Sequence, residues 1–258
     1  KMNKKGLQAL VLIHGGQTTH SVILAKAFKI PTVTRTKELL DIAKNGDFII
    51  VDGNSGIVFV NPSKEIYNEY ERLQKEQKSL EDKLLSSAAL PAKTRDEERL
   101  NIGANIALLS DLELVVTYGA DFVGLYRSEF PFLARNSFPS EEEQFKLYTS
   151  IVEQAKNRPV NIRTLDVGGD KFLPYLDAPQ EDNPALGWRS IRISLELETI
   201  FREQLRAILR ASKYGEVRIL FPMITAVSEI HSIRNILKEE IKYLSKSGDT
   251  PYSLPALG

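Results

Sequence analysis

Apolar positions of this 258-residue chain fall into short continuous runs that alternate with longer segments of helical spacing. Runs typical of buried strands cover residues 7–13, 30–33, 48–51, 57–60, 102–107, 122–126, 160–165 and 217–221. Segments with helical spacing cover residues 21–29, 37–43, 63–87, 109–118, 140–157, 198–212 and 226–244. This alternation of strands and helices predicts an α/β protein.

The first 62 residues are predicted to form a small α/β domain. Its clearest element is a hairpin, in which two apolar arms flank the turn-forming segment 52–56, Asp-Gly-Asn-Ser-Gly. Pro62 then ends the pattern. From residue 63 to 87 the composition changes to Glu, Lys, Gln and Leu, with apolar positions repeating at Ile66, Leu73 and Leu80, and Pro91 closes the segment 63–91. This spacing predicts a long, mostly solvated helix that links two domains.

Residues 92–258 contain four successive strand–helix units, and a fifth strand begins as the chain ends. Such repetition predicts a parallel sheet or a (β/α) barrel. A complete barrel needs eight units, so if the segment belongs to a TIM-type barrel it supplies the first half of it. The chain also begins with Lys1 and ends in small and apolar residues, so we expect it to be part of a longer polypeptide.

Composition narrows the possible partners. The chain has 34 basic and 34 acidic residues, which argues against nucleic acid or an anionic membrane surface as the main partner. No apolar run is long enough to span a bilayer, and we expect no membrane insertion. The absence of cysteine excludes a disulfide scaffold and a thiolate metal site, and it is compatible with the cytoplasm, where we expect the protein.

His20 is the first candidate for chemistry. It follows Gly15 and Gly16, which allow close approach of a ligand to the backbone, and it lies on the predicted first turn of a helix. The positive end of the helix dipole there favours the neutral, nucleophilic imidazole. The alternative is a histidine at the edge of the core, since His20 shares a helical stripe with Leu24 and Ala27.

Arg127 and Arg163 are the second candidates, because Arg127 directly follows the strand predicted over 122–126 and Arg163 lies in the later part of the strand predicted over 160–165. Side chains at the carboxyl ends of barrel strands line the active-site face, and two guanidinium groups there suit a phosphate and a carboxylate. The alternative is a structural ion pair of each arginine with Glu129 or Asp166. In the following segments Glu181, Asn183 and Arg189 are predicted to order a second loop over the same face, whereas 164–171 lacks the spacing of a P-loop.

These motifs resemble those of a known family. The segment GGQTTHSVILAK resembles the phosphohistidine signature of phosphoenolpyruvate-utilising enzymes, although Lys26 stands where the signature usually has arginine or glycine. Within that family the chain is similar to Enzyme I of the phosphotransferase system, the phosphoenolpyruvate-protein phosphotransferases. The resemblance covers essentially the whole chain and rests on GLYRSEFPFL, FPSEEEQFKLY, IRTLDVGGDKFLPY, NPALGWRSIR and QLRAILRAS.

The resemblance implies a function. His20 would accept the phosphoryl group of phosphoenolpyruvate (PEP) and pass it to a histidine-containing phosphocarrier protein. Arg127 and Arg163 would bind the phosphate and carboxylate of PEP. The domain of residues 1–62 would swivel between the barrel and the carrier, residues 63–91 would connect them, and residues 92–258 would bind PEP. The full-length protein would form a homodimer.

The resemblance also implies what these 258 residues lack. Mg²⁺ would be the cofactor, with its ligands in the second half of the barrel, so we expect no metal ligands in this chain. We therefore expect that the chain alone does not turn over PEP. Two other functions remain open from the sequence: a non-catalytic module that accepts a phosphoryl group, and another PEP-utilising enzyme such as a dikinase or a synthase.

Overall fold

In the computed structural model the chain forms two compact units, Lys1–Ser87 and Ala88–Gly258. The structure describes residues 6–14, 21–22, 25, 30–88, 90–133, 135–169, 173–176, 179, 181–184, 186–248 and 254–258. Most of the helix predicted over 21–29 lies outside the described residues, as do several residues singled out by the sequence: Gly15, Gly16, His20, Leu24, Lys26 and Ala27.

The first unit contains two small sheets. Strands β1 (Leu10–Leu12) and β2 (Thr32–Thr34) pair in parallel, whereas β3 (Ile49–Asp52) and β4 (Ile57–Val60) form an antiparallel hairpin. The predicted hairpin is confirmed, and the Asp52 carboxylate stabilises its turn by accepting the backbone N–H of Asn54 at 2.9 Å. A short helix, α1 (Leu39–Ile42), lies between β2 and β3.

Helix α2 (Lys64–Ser87) confirms the predicted long helix and has no buried residue. Its first turns contact the hairpin, since the ring of Tyr67 lies 5.5 Å from that of Phe48 and the Tyr70 hydroxyl donates to Asp52 at 3.1 Å. The later turns are exposed and carry ion pairs such as Arg72–Glu76. Within the described parts of the chain, no helix combines the length and apolar character needed to cross a membrane.

The second unit is built on a five-stranded sheet whose strands are all parallel and follow one another in chain order. These strands are β5 (Gly103–Ile106), β6 (Phe122–Arg127), β7 (Val160–Arg163), β8 (Val217–Leu220) and β9 (Ala256–Leu257). The α-helices are α3 (Leu112–Thr117), α4 (Phe130–Leu133), α5 (Glu141–Gln154), α6 (Ile191–Glu196), α7 (Glu198–Ala211) and α8 (Val227–Ser247). The predicted α/β fold with a parallel sheet is confirmed, and β9 is the fifth strand expected at the end.

The core of this unit lies between the sheet and helices α5, α7 and α8. Strand residues such as Val123, Val160 and Ile162 are completely buried, as are Leu205 and Ile208 on the apolar face of α7. Burial of apolar surface contributes about 25 cal/mol of stability per Å². This cluster is therefore the main stabilising feature of the unit. The helices therefore hold the strands, and the residues that follow them, in fixed positions.

Candidate functional site

Arg127 and Arg163 lie side by side at the carboxyl ends of two neighbouring strands of the sheet. Each is the last residue of its strand, β6 and β7 respectively, and the parallel register pairs Arg127 directly with Arg163. Neighbouring strands are about 4.8 Å apart, so both side chains begin at the same edge. The apolar runs that precede the two arginines pair as β6 and β7, and this pairing brings the two predicted site residues together.

The two arginines have different surroundings. Arg127 is exposed and has no ion pair or hydrogen bond with any residue that the structure describes. Arg163 is only 16% exposed, and its Nη2 donates to Glu129 Oε1 at 2.8 Å and contacts Asp166 Oδ2 at 3.0 Å. The ion-pair alternative therefore describes Arg163 but not Arg127. The Nε of Arg163 is buried and finds no hydrogen-bond partner among the described residues.

A third arginine joins this cluster through Asp166. The second oxygen of that carboxylate contacts Arg189 Nη2 at 3.3 Å and also accepts the hydroxyl of Ser190. The sequence predicts only a loop-ordering role for Arg189, and the structure brings it into contact with the carboxylate that also holds Arg163. Arg127, Arg163 and Arg189 carry three positive charges against the two carboxylates Glu129 and Asp166, so these five residues have a net formal charge of +1.

The loop after β7 packs against the segment that contains Arg189. Gly168 has a φ of +106°, and a Cβ atom there would lie 2.6 Å from both the Trp188 carbonyl oxygen and Arg189 Cβ. The Ser190 N–H donates to the Val167 carbonyl at 2.9 Å, and the Glu181 carboxylate accepts the Trp188 N–H at 2.8 Å. These contacts hold Asp166 and Arg189 at a fixed separation.

A buried polar cluster lies behind the strand ends. Gln204 of α7 donates from Nε2 to Ser128 Oγ and to Tyr148 Oη, both at 3.1 Å. Its Oε1 accepts the Leu165 N–H at 2.9 Å. Complete burial raises the pKa of Tyr148, so its hydroxyl stays neutral and donates to Gln144 at 3.1 Å. Sequence reasoning missed Gln204 because it carries no charge and lies within an amphipathic helix.

His20 itself, the third predicted site residue, lies outside the described residues. Close to it in sequence, Ser21, Val22 and Ala25 are helical, and Val22 and Ala25 are buried. No group of three or more potential ligands for a metal ion occurs in the described portion of the chain. Glu129 and Asp166 are both engaged by Arg163, so they do not fit a magnesium site.

Comparisons with known proteins match both parts of the chain. Residues 1–56 match the model of the mobile domain of PEP-utilising enzymes, and residues 81–255 match the model of their PEP-binding domain. The phosphoenolpyruvate-protein phosphotransferase of Buchnera aphidicola subsp. Baizongia pistaciae is 42% identical over 98% of this chain. The proteins of the same name from Staphylococcus carnosus and Priestia megaterium are 42% and 43% identical over 96% of it.

The chain spans less than half the length of these relatives: 44% of the Buchnera protein and 43% of the other two. The match to the PEP-binding domain, residues 81–255, includes strands β5 to β8 of the second unit, together with Arg127, Arg163 and Gln204. The chain therefore belongs to the family of PEP-utilising enzymes.

Proposed function

We propose that this chain supplies the phosphoryl-accepting and PEP-binding parts of a phosphoenolpyruvate-protein phosphotransferase. In this proposal the phosphoryl group moves from PEP to His20 and then to a histidine-containing phosphocarrier protein. The observation that carries it is the direct pairing of Arg127 with Arg163 at adjacent strand ends, within the segment that matches a PEP-binding domain.

PEP carries a phosphate and a carboxylate, and guanidinium groups bind both in bidentate geometry. Arg127 is exposed and makes no ion pair with the described residues, so it is available to bind one anionic group without breaking an existing contact. One nitrogen of Arg163, Nη2, forms ion pairs with Glu129 and Asp166, and Arg189 adds a further positive charge. We assign the two anionic groups of PEP to Arg127 and Arg163.

The transfer step follows from this assignment. A ring nitrogen of neutral His20 attacks the phosphorus in line, a P–N bond forms, and the P–O bond to the enol oxygen breaks. The electron pair of that bond leaves with the enolate of pyruvate, which then takes up a proton. Arginines on the phosphate neutralise charge as it moves to the leaving oxygen, and fixed positions for donor and acceptor lower the entropic cost.

We also propose the domain roles that this reaction requires. Residues 1–62 would be the swivelling phosphohistidine domain, 63–91 the connecting helix, and 92–258 the first half of a TIM-type barrel. The match of residues 1–56 to a mobile domain supports the first role. The sequential order of five parallel strands supports the last, because consecutive strands are neighbours in a barrel. A cytoplasmic homodimer remains a prediction from the resemblance.

The other functions considered from the sequence receive less support. A dikinase or a synthase would share the histidine motif, whereas the relatives cited above all bear the name of a phosphotransferase. A module that merely accepts a phosphoryl group would have no use for a PEP-binding arginine pair. The proposed enzyme and such a module therefore differ in whether phosphoryl transfer requires Arg127 and Arg163.

Equilibrium binding of PEP to this chain tests the proposal. Arg127→Ala removes a charge-assisted contact and is expected to weaken PEP binding at least about tenfold. Arg163→Lys keeps the charge and the pairing to Glu129 but loses the planar fork, so weaker binding is also expected. The matched control is Arg218→Ala. Arg218 is an exposed arginine on β8, and within the described structure its side chain forms an ion pair only with Glu216. Equal PEP affinity of Arg127→Ala and Arg218→Ala would contradict the proposal.

A further inference from the structure

The carboxamide of Gln204 forms hydrogen bonds with Ser128 and Leu165, which follow the two strand-end arginines in sequence, and with Tyr148 of α5. The side chain is 1% exposed, and its two N–H groups donate to Ser128 and Tyr148, while its oxygen accepts from Leu165. Ser128 directly follows Arg127, and Leu165 is two residues beyond Arg163. One side chain on α7 therefore joins the continuation of β6 to the continuation of β7.

The residues around Gln204 hold its side chain in one position. The neighbouring α7 residues Leu205 and Ile208 are completely buried in the core. Tyr148 donates its hydroxyl proton to Gln144, which in turn donates to the Pro139 carbonyl at 3.0 Å. Because the Tyr148 oxygen is thereby left to accept, the orientation of the Gln204 amide is determined by its partners.

We propose that Gln204 is a positioning residue that fixes Arg127 and Arg163 relative to each other, so that one ligand with two anionic groups contacts both. This inference rests on the proposed function, since PEP is such a ligand. A glutamate would lack the two donors, and an apolar residue would leave the Leu165 N–H and Ser128 without their partner. A carboxamide alone supplies two donors and one acceptor at this position.

A general structural role and a positioning role have different consequences. Loss of folding would reduce the binding of every anion in the same proportion. Loss of the relative position of two arginines would weaken a ligand that contacts both, while a ligand that contacts one would be little affected. Inorganic phosphate has one anionic group to offer, so the ratio of PEP affinity to phosphate affinity separates the two roles.

The test measures PEP and inorganic phosphate affinity of the whole chain and its Gln204→Met variant, which keeps the side-chain volume and removes the amide. We expect PEP affinity to fall about tenfold, as for other residues that orient ligand-binding groups, and phosphate affinity to change less than about twofold. Ile208→Val, a core change one turn along the same helix, is the control and should change neither affinity by more than about twofold.

Equal losses for PEP and phosphate in Gln204→Met, or unchanged PEP affinity, would overturn the positioning role alone. If the wild-type chain binds no PEP, or binds it independently of Arg127, the proposed function fails and this inference fails with it. If Gln204→Met does not fold, Ser128→Ala decides, because it removes only the contact on the Arg127 side. It should show the same selective loss of PEP affinity, and a loss shared with phosphate would overturn the inference.

Discussion

The buried carboxylate of Asp166 determines how two of the three site arginines are held. It contacts Arg163 with one oxygen and Arg189 with the other, and it also accepts the hydroxyl of Ser190. A buried charge is tolerated only when it is paired and hydrogen-bonded, and Asp166 meets both conditions. As a result one nitrogen each of Arg163 and Arg189 is held by Asp166, whereas Arg127 is exposed.

The packing of the loop after β7 depends most directly on Gly168. Its φ of +106° is unfavourable for other residues, and a Cβ atom would be 2.6 Å from two atoms of the neighbouring segment. Gly248, at a φ of +78°, is a matched control because a Cβ there would meet no atom within 4 Å. Gly248→Ala should lose about 1 kcal/mol of unfolding free energy through the backbone alone.

Gly168→Ala should lose at least about 1 kcal/mol more than that control, because overpacking adds to the backbone strain. Urea denaturation of both variants measures the difference. Equal losses would show that the segment containing Trp188 and Arg189 moves aside at no cost, contrary to the fixed separation described for Asp166 and Arg189.

Sequence reasoning found some site residues and missed others for a physical reason. The sequence identifies Arg127 and Arg163 because each lies at or near the end of a predicted strand, and the carboxyl ends of parallel strands meet on the same side of a sheet. Arg189 and Gln204 act through contacts with residues 23 and 39 positions away, respectively. No local pattern of hydrophobic and polar positions encodes such long-range pairings.

Among the elements, α7 links its neighbours through a row of arginines opposite its apolar face. Arg202, Arg206 and Arg210 are spaced four residues apart and pair with acids of α5 and α8. Glu240 of α8 is only 3% exposed and pairs with both Arg202 and Arg206, at 2.8 Å in the second case. Glu141 of α5 pairs with Arg206 at 2.6 Å. This row fixes α7, and with it Gln204, between two helices.

Two adjacent glutamates of α8 allow a matched test of this row. Glu240→Ala leaves two partly buried arginines without their shared acid, so a loss of about 3 kcal/mol of unfolding free energy is expected. Glu239 pairs with Arg202 at 2.6 Å but is 63% exposed, so Glu239→Ala should cost less than about 1 kcal/mol. Thermal or urea unfolding of the two variants measures both values. Similar losses would mean that burial of Glu240 contributes nothing to the stability of the unit.

Element prediction was accurate where the local pattern is strong. Strands β6, β7 and β8 lie within two residues of their predicted ends because each is a short apolar run. The helix predicted over 140–157 ends at Gln154 instead, and Lys156 and Asn157 have positive φ angles of 53° and 64°. Helix α6 was missed, since it begins after Ser190, whose φ of 52° depends on contacts with the loop after β7.

In the whole molecule, the PEP-binding candidates lie in one unit and the proposed phosphoryl acceptor in the sequence of the other. Arg127, Arg163 and Gln204 all belong to Ala88–Gly258, whereas His20 belongs to Lys1–Ser87. The match of the first segment to a mobile domain agrees with a reaction in which an acceptor moves between a donor and a carrier. We therefore expect phosphoryl transfer from PEP, bound at Arg127 and Arg163, to His20.

The most direct measurement is the transfer of labelled phosphate from PEP in a chimera in which this chain replaces the matching segment of the Priestia megaterium protein, with which it is 43% identical. The label should be acid-labile and lie on His20. It should be absent in His20→Ala and retained in His14→Ala and His231→Ala, which change the other two histidines of the chain. Arg127→Ala should slow the transfer at least about tenfold. Label that persists in His20→Ala, or transfer at the wild-type rate in Arg127→Ala, would contradict the account.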